Sequence, residues 1–270
     1  MTQTILPLSE SGLRVSLREA GAGDTILLIH GVGLQSAAWQ PQIDALRRRY
    51  RVIAVDMPGH GGSDALPKGS DLPGFVDWCR QVVRQTRSGP VSIVGHSMGA
   101  LIAAGFAVQF PDMTRRVALL NGVFRRGAEA RDAVTARADR IAAGDIDVDT
   151  PLQRWFGASP SEIAARERVA GWLSDVNPRG YATAYSAFAR GDATYADRFG
   201  SISCPFLAMT GDMDPNSTPA MSRQMANIVA KGEVCVIRGH RHMINLTAPD
   251  AVNAHLTDWL DRTAETEAAV

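Results

Sequence analysis

Short unbroken apolar runs recur along the chain at 26–29 (Ile-Leu-Leu-Ile), 52–55 (Val-Ile-Ala-Val), 91–94 (Val-Ser-Ile-Val), 117–120 (Val-Ala-Leu-Leu), 205–209 and 233–237. Runs of this length, ended by turn residues such as His30-Gly31, Asp56 and Gly95, predict strands buried on both faces of a parallel sheet. Residues 13–18 alternate instead and predict an antiparallel edge strand. Between the runs the apolar period changes to that of a helix. Residues 36–49 carry Trp39, Ile43 and Leu46, and residues 75–87 carry Phe75, Trp78, Val82 and Val83. Residues 98–110 are apolar nearly all round, which predicts a buried helix. Helical patterns at 217–230 and 249–259 complete the series. Alternating strand and helix specify βαβ units, hence an α/β class with a mostly parallel twisted sheet flanked by helices.

The alternation breaks at 122–200. That stretch is rich in Ala, Arg and aromatics, including Trp155, Phe156, Trp172, Tyr181, Tyr185 and Phe188, with no clear strand. It predicts three or four short helices inserted between two strands. The division is then a core of 1–121 and 201–270 with a helical cap at 122–200. The cap enters at the carboxyl edge, where open α/β sheets bind ligands; the plainer alternative is a helical subdomain with its own core. Residues 263–270 read as a frayed tail.

Composition narrows the functional classes. The 270 residues hold 28 Lys plus Arg and 28 Asp plus Glu, a formal net charge of zero. A nucleic-acid binder would carry a basic excess, so none is expected as a partner. The most apolar tract, 99–110, is far short of a bilayer span, and no membrane partner is expected. Cys79, Cys204 and Cys235 lie far apart and odd in number, which favours a reducing compartment over a disulfide framework. The first ten residues lack a basic segment followed by an apolar run. These features together predict a soluble cytoplasmic protein, monomer or homodimer, acting on a small molecule.

Gly95-His96-Ser97-Met98-Gly99 matches G-x-S-x-G between a predicted strand and a predicted helix, the context this motif requires. A nucleophile there projects from a sharp turn, beside the N–H groups and positive dipole end of the helix. A serine hydroxyl needs a base, and the base needs an orienting carboxylate. The expected chain order is Ser, then Asp or Glu, then His. Thr210-Gly211-Asp212-Met213-Asp214-Pro215 and Gly239-His240-Arg241-His242-Met243 follow the fifth and sixth apolar runs at the same sheet edge as Ser97. Each loop offers two candidates. Two other patterns fail. His240-x-His242 lacks a third ligand for a catalytic zinc, so no metal is expected. Gly31-x-Gly33 begins a dinucleotide fingerprint, but Ser36 stands where its third glycine belongs, so no cofactor is expected.

From residue 12 to 262 the chain resembles the α/β-hydrolase family. The resemblance rests on His30-Gly31-Val32-Gly33, Asp56-Met57-Pro58-Gly59-His60-Gly61-Gly62-Ser63, the Ser97 elbow, Gly211-x-x-Asp214, and His242 followed by Met-Ile-Asn-Leu-Thr-Ala-Pro. It implies an inserted cap and a triad of Ser97, Asp214 and His242. Asp212 then falls to a loop carboxylate and His240 to a turn residue. Thr247 departs from the family's usual Glu. Some members carry the acid after the preceding strand; Asn121 stands there, which favours Asp214. The elbow implies an oxyanion hole from the N–H groups of Val32 and Met98. Ser97 replaces the Asp of halide- and epoxide-opening relatives. The expected reaction is acyl transfer to water on a small ester, lactone or amide. Carbon–carbon bond hydrolysis, a cofactor-free lyase or perhydrolase, and a non-catalytic receptor are the alternatives. The tracts 152–157 and 178–182 resemble the cap of 3-oxoadipate enol-lactonases, implying a carboxylate-bearing substrate. Arg125, Arg126 and Arg154 are candidates for a bidentate carboxylate clamp, with Trp155 and Tyr185 as further substrate contacts.

Overall fold

The apolar runs form the centre of an eight-stranded sheet in the computed structural model, which describes residues 3–262. The strands are β1 (Gln3–Pro7), β2 (Arg14–Ala20), β3 (Thr25–Ile29), β4 (Arg51–Val55), β5 (Val91–His96), β6 (Thr114–Leu120), β7 (Phe206–Gly211) and β8 (Gly232–Ile237). Their order is β1-β2-β4-β3-β5-β6-β7-β8. β2 is antiparallel to both β1 and β4, and every pair from β4 to β8 is parallel. Within each central strand alternate residues serve opposite faces. Leu27, Ile29, Ile53 and Val55 join one buried cluster, and Ile26, Leu28, Val52 and Ala54 join the other. Burial on both sides is why these strands read as continuous apolar runs.

Ten α-helices complete the described chain: α1 (Gln40–Leu46), α2 (Leu72–Gln85), α3 (Met98–Gln109), α4 (Ala128–Ala142), α5 (Asp149–Trp155), α6 (Pro160–Asp175), α7 (Pro178–Gly191), α8 (Pro219–Ile228), α9 (Ile244–Thr247) and α10 (Pro249–Leu260). On one sheet face α1 and α10 pack Ile43, Leu46, Val252, Leu256 and Trp259. The other face receives α2, α3, α8 and the helices of the insertion. α3 lies between the sheet and α2, α7 and Tyr195, so its all-round apolar composition is a packing requirement. Leu152, Val169, Leu173 and Tyr181 from the insertion belong to the same buried cluster as α2 and α3. The inserted helices therefore share the sheet's core.

Four expectations need correction. The strand expected at the edge over 13–18, β2, is second in the sheet: β1 pairs with it through backbone and takes the edge, but the β1 side chains are nearly all exposed and leave no apolar pattern. β8 is an edge strand, half-buried along most of its length. The helix expected at 36–49 begins as a 3-10 turn over Ser36–Trp39 and becomes α-helical at Gln40, with Pro41 in its first turn. The helix expected from 75 starts at Leu72, because Asp71 caps it by accepting from the Gly74 amide. Residues 263–270, read as a frayed tail, lie outside the described residues. No described helix is long and apolar enough to cross a membrane.

Two glycines set how closely α3 approaches the sheet. A Cβ on Gly99 would sit 2.1 Å from the Ile29 carbonyl oxygen, and one on Gly95 would sit 2.0 Å from the Gly99 carbonyl oxygen. Both obstacles are backbone, so neither clash relaxes by a rotamer change. Gly99→Ala is expected to destabilise the protein by about 3 kcal/mol, at the upper end for overpacking. Urea denaturation followed by circular dichroism measures this as a lower midpoint.

Candidate active site

β4 lies on one side of β3 and β5 on the other, so the connections leaving β3 and β4 run to opposite sides of the sheet. Such a switch point opens a crevice at the carboxyl ends of the strands. Val32 follows β3 and Ser97 follows β5, one on each side of that crevice.

Ser97 has φ 53° and ψ −112°, a conformation non-glycine residues rarely adopt. Its amide donates to the Leu120 carbonyl at 2.9 Å, which anchors the turn to β6. His242 Nε2 accepts from the Ser97 hydroxyl at 3.1 Å, and His242 Nδ1–H donates to Asp214 Oδ2 at 2.8 Å. The three side chains are buried. The expected Ser, His and Asp are thus in one hydrogen-bonded chain.

Asp214 is held by four donors. Oδ1 accepts from the amides of Asn216 at 2.8 Å and Ser217 at 3.1 Å, while Oδ2 accepts from His242 and from Asn121 Nδ2 at 2.8 Å. Burial pushes its pKa up, but His242, the Asn216 amide and Asn121 more than offset this and hold the carboxyl below its ordinary value. Asn121, singled out as the other acid position, is therefore a direct partner of Asp214.

Behind the site sit three further buried histidines. His96 Nε2–H donates to the His242 carbonyl at 2.8 Å. Burial, reinforced by His242, lowers its pKa to about 3, so it is neutral. His30 Nε2 accepts from the Met57 amide at 2.9 Å, and His60 Nε2 accepts from the Gly33 amide at 2.9 Å. The His60 bond fixes the loop that carries Val32. Burial, with His30 adding to it, drops His60 to about 3 as well, which preserves the acceptor nitrogen. The Met98 amide lies in the first turn of α3, where it has no intrahelical acceptor. Among the described residues the Val32 amide makes no hydrogen bond.

The spare residues of the two loops have other partners. Asp212 Oδ1 accepts from the Gly239 amide at 2.7 Å. His240 Nδ1 meets the Thr247 hydroxyl at 3.0 Å, so the residue that replaces the family's Glu still engages this loop.

A cavity of about 200 Å³ lies over Ser97 and His242. Val32, Trp155 and Tyr185 line it, together with Arg126, Arg137 and Arg154. Arg125 does not line it: this residue has φ 45°, is largely exposed and pairs with Asp197. Of the three arginines expected as a clamp, Arg126 and Arg154 line the cavity and Arg125 does not. Arg126 is buried, lies 3.3 Å from Asp192, covers the Phe188 ring, and has an Nη2 without a hydrogen-bond partner. Arg137 was missed. It donates to the Asp147 carbonyl at 2.7 Å and lies over the Tyr185 ring. The spacing Ala130, Val134, Arg137 on α4 marks the face that lines the cavity and is the signal that would have found it.

The profile of the alpha/beta hydrolase family matches residues 26–255. This chain belongs to the alpha/beta hydrolase family. The hydrolase is 50% identical over 245 residues to (E)-2-((N-methylformamido)methylene)succinate hydrolase of Acinetobacter baylyi, covering 91% of this chain and 93% of that one. It is 25% identical over 256 residues to 2-(acetamidomethylene)succinate hydrolase of Mesorhizobium japonicum, covering 92% of each. Among solved structures, the enol-lactonase from Burkholderia xenovorans superposes with a TM-score of 0.87 at 24% identity, over 96% of this chain and 100% of that one. At that identity the likeness concerns the fold.

Proposed function

We propose that this hydrolase cleaves the amide bond of a small dicarboxylate of the acylaminomethylene-succinate class through an acyl-enzyme on Ser97. The observation that carries the reading is the cationic wall of the cavity over Ser97. Arg126, Arg137 and Arg154 meet there, while Asp192 and Asp147 offset only two of them. Arg154 has no ion pair among the described residues. Burial lowers the pKa of Arg126 despite the opposing pull of Asp192, the mark of a buried cation with too little compensation. A substrate carboxylate supplies the missing charge and partner. The 50% identical relative, a hydrolase of an amidomethylene succinate by name, supports the same class.

In the proposed mechanism His242 takes the Ser97 proton as the oxygen attacks the acyl carbonyl. The Val32 and Met98 amides receive the oxyanion. Collapse breaks the C–N bond, and His242 returns the proton to the departing nitrogen. That nitrogen is conjugated through the double bond to a carboxylate, so its developing charge is delocalised and it leaves more readily than an ordinary amine. Water activated by His242 then releases the acid and restores Ser97.

Arg126→Met is the test of the carboxylate assignment. It is expected to lower kcat/KM by about 100-fold, mainly through KM, for dicarboxylated amides, the scale of one lost charged hydrogen bond. For an uncharged p-nitrophenyl ester it should change little. Equal losses on both substrates would contradict the assignment.

A further inference from the structure

The Trp155 indole stacks on the His242 imidazole, with ring centroids 5.7 Å apart and planes 28° from parallel. Trp155 ends α5, and the last carbonyls of a helix lack intrahelical donors. Arg241, next to His242 in the chain, fills that need: its Nη1 donates to the carbonyls of Gln153 at 3.0 Å and Phe156 at 3.1 Å. The loop that carries the base thus grips the helix that carries the indole. We propose that Trp155 is a further catalytic residue, whose ring face stabilises the imidazolium formed on His242 as Ser97 is deprotonated, and that Arg241 is the positioning residue that holds Trp155 there. The proposal rests on the reading of Ser97 as nucleophile and His242 as its base.

The charges around His242 explain why such help matters. Asp214, from the loop after β7, favours the imidazolium at 2.8 Å. The cationic residues Arg126, Arg137 and Arg154 line the same cavity and oppose it. His96, from β5, has its ring 5.2 Å away and is neutral. The Arg241 guanidinium is directed to the Gln153 and Phe156 carbonyls at the end of α5. An indole face attracts a cation without bringing a counter-charge that would repel a carboxylated substrate.

The test is the pH dependence of Ser97 labelling by a fluorophosphonate, which needs no knowledge of the substrate. A water-shielding indole and a cation-stabilising indole give different results. Trp155→Leu keeps an apolar cover and removes the π face. It is expected to lower the apparent pKa of the labelling rate by about half a unit to one unit, and the plateau rate several-fold. Trp155→Phe should retain much of both. Arg241→Ala should reproduce the Trp155→Leu shift and add nothing to it in the double variant. An unchanged or raised apparent pKa in Trp155→Leu would overturn the proposal. Additive effects of the two substitutions would overturn the role of Arg241. A folded wild type that takes no label would overturn the reading of Ser97 itself.

Discussion

Ser97→Ala is expected to lower kcat by about 10⁵-fold or more, the scale on which a serine nucleophile acts with its base. In the proposed mechanism the hydroxyl makes the covalent intermediate, and nothing else at the elbow would replace it. His242 would then face a methyl group, and the Val32 and Met98 amides, the proposed oxyanion hole, would remain in place. The residual rate should be that of a binding site with an oxyanion hole alone. KM should change little, because no carboxylate contact is lost. The fold should also survive, since alanine at φ 53° suffers much the same backbone strain as serine. Single-turnover kinetics beside a matched melting curve separates loss of chemistry from loss of structure. A variant that keeps a tenth of the wild-type rate would mean that another group attacks.

Asp214→Asn should cost about 10⁴-fold in kcat, for a reason the geometry makes specific. Four donors converge on this carboxylate: two amides on Oδ1, and His242 with Asn121 on Oδ2. An asparagine offers one oxygen and one NH₂ group. With NH₂ at the Oδ1 position, it faces the amides of Asn216 and Ser217. With NH₂ at the Oδ2 position, it faces Asn121 and drives the His242 proton to Nε2, where the ring no longer accepts from Ser97. Either placement breaks a bond, and the second also sets the wrong tautomer. The expected signature is a large fall in kcat with intact folding, measured by stopped-flow ester turnover and thermal unfolding. A loss below tenfold would show that the imidazole keeps its tautomer without Asp214.

The parts of the site that sequence revealed are those set by contiguous residues at the ends of strands. The elbow at 95–99, the Asp214 loop and His242 each follow an apolar run, and a parallel sheet brings those ends to one edge. What stayed hidden depends on side-chain direction. Arg125 and Arg126 are adjacent and chemically equal, yet one turns out to Asp197 and the other in to Asp192. No local pattern distinguishes them, because the choice is made by a backbone at φ 45° and by a carboxylate 66 residues away. The stacking of Trp155 on His242 was equally beyond reach, since it joins the end of α5 in the insertion to the loop after β8. In the fold, β1 escaped notice because a strand paired at an exposed edge has no apolar face to write into the sequence.

The measurement that bears most directly on the central claim is product analysis with (E)-2-((N-methylformamido)methylene)succinate, using wild type and Ser97→Ala. Cleavage of its amide by way of Ser97 predicts one formate released for each molecule consumed by the wild type, and none from the variant. Consumption without formate, or an untouched substrate beside a folded enzyme that a fluorophosphonate labels at Ser97, would contradict the account.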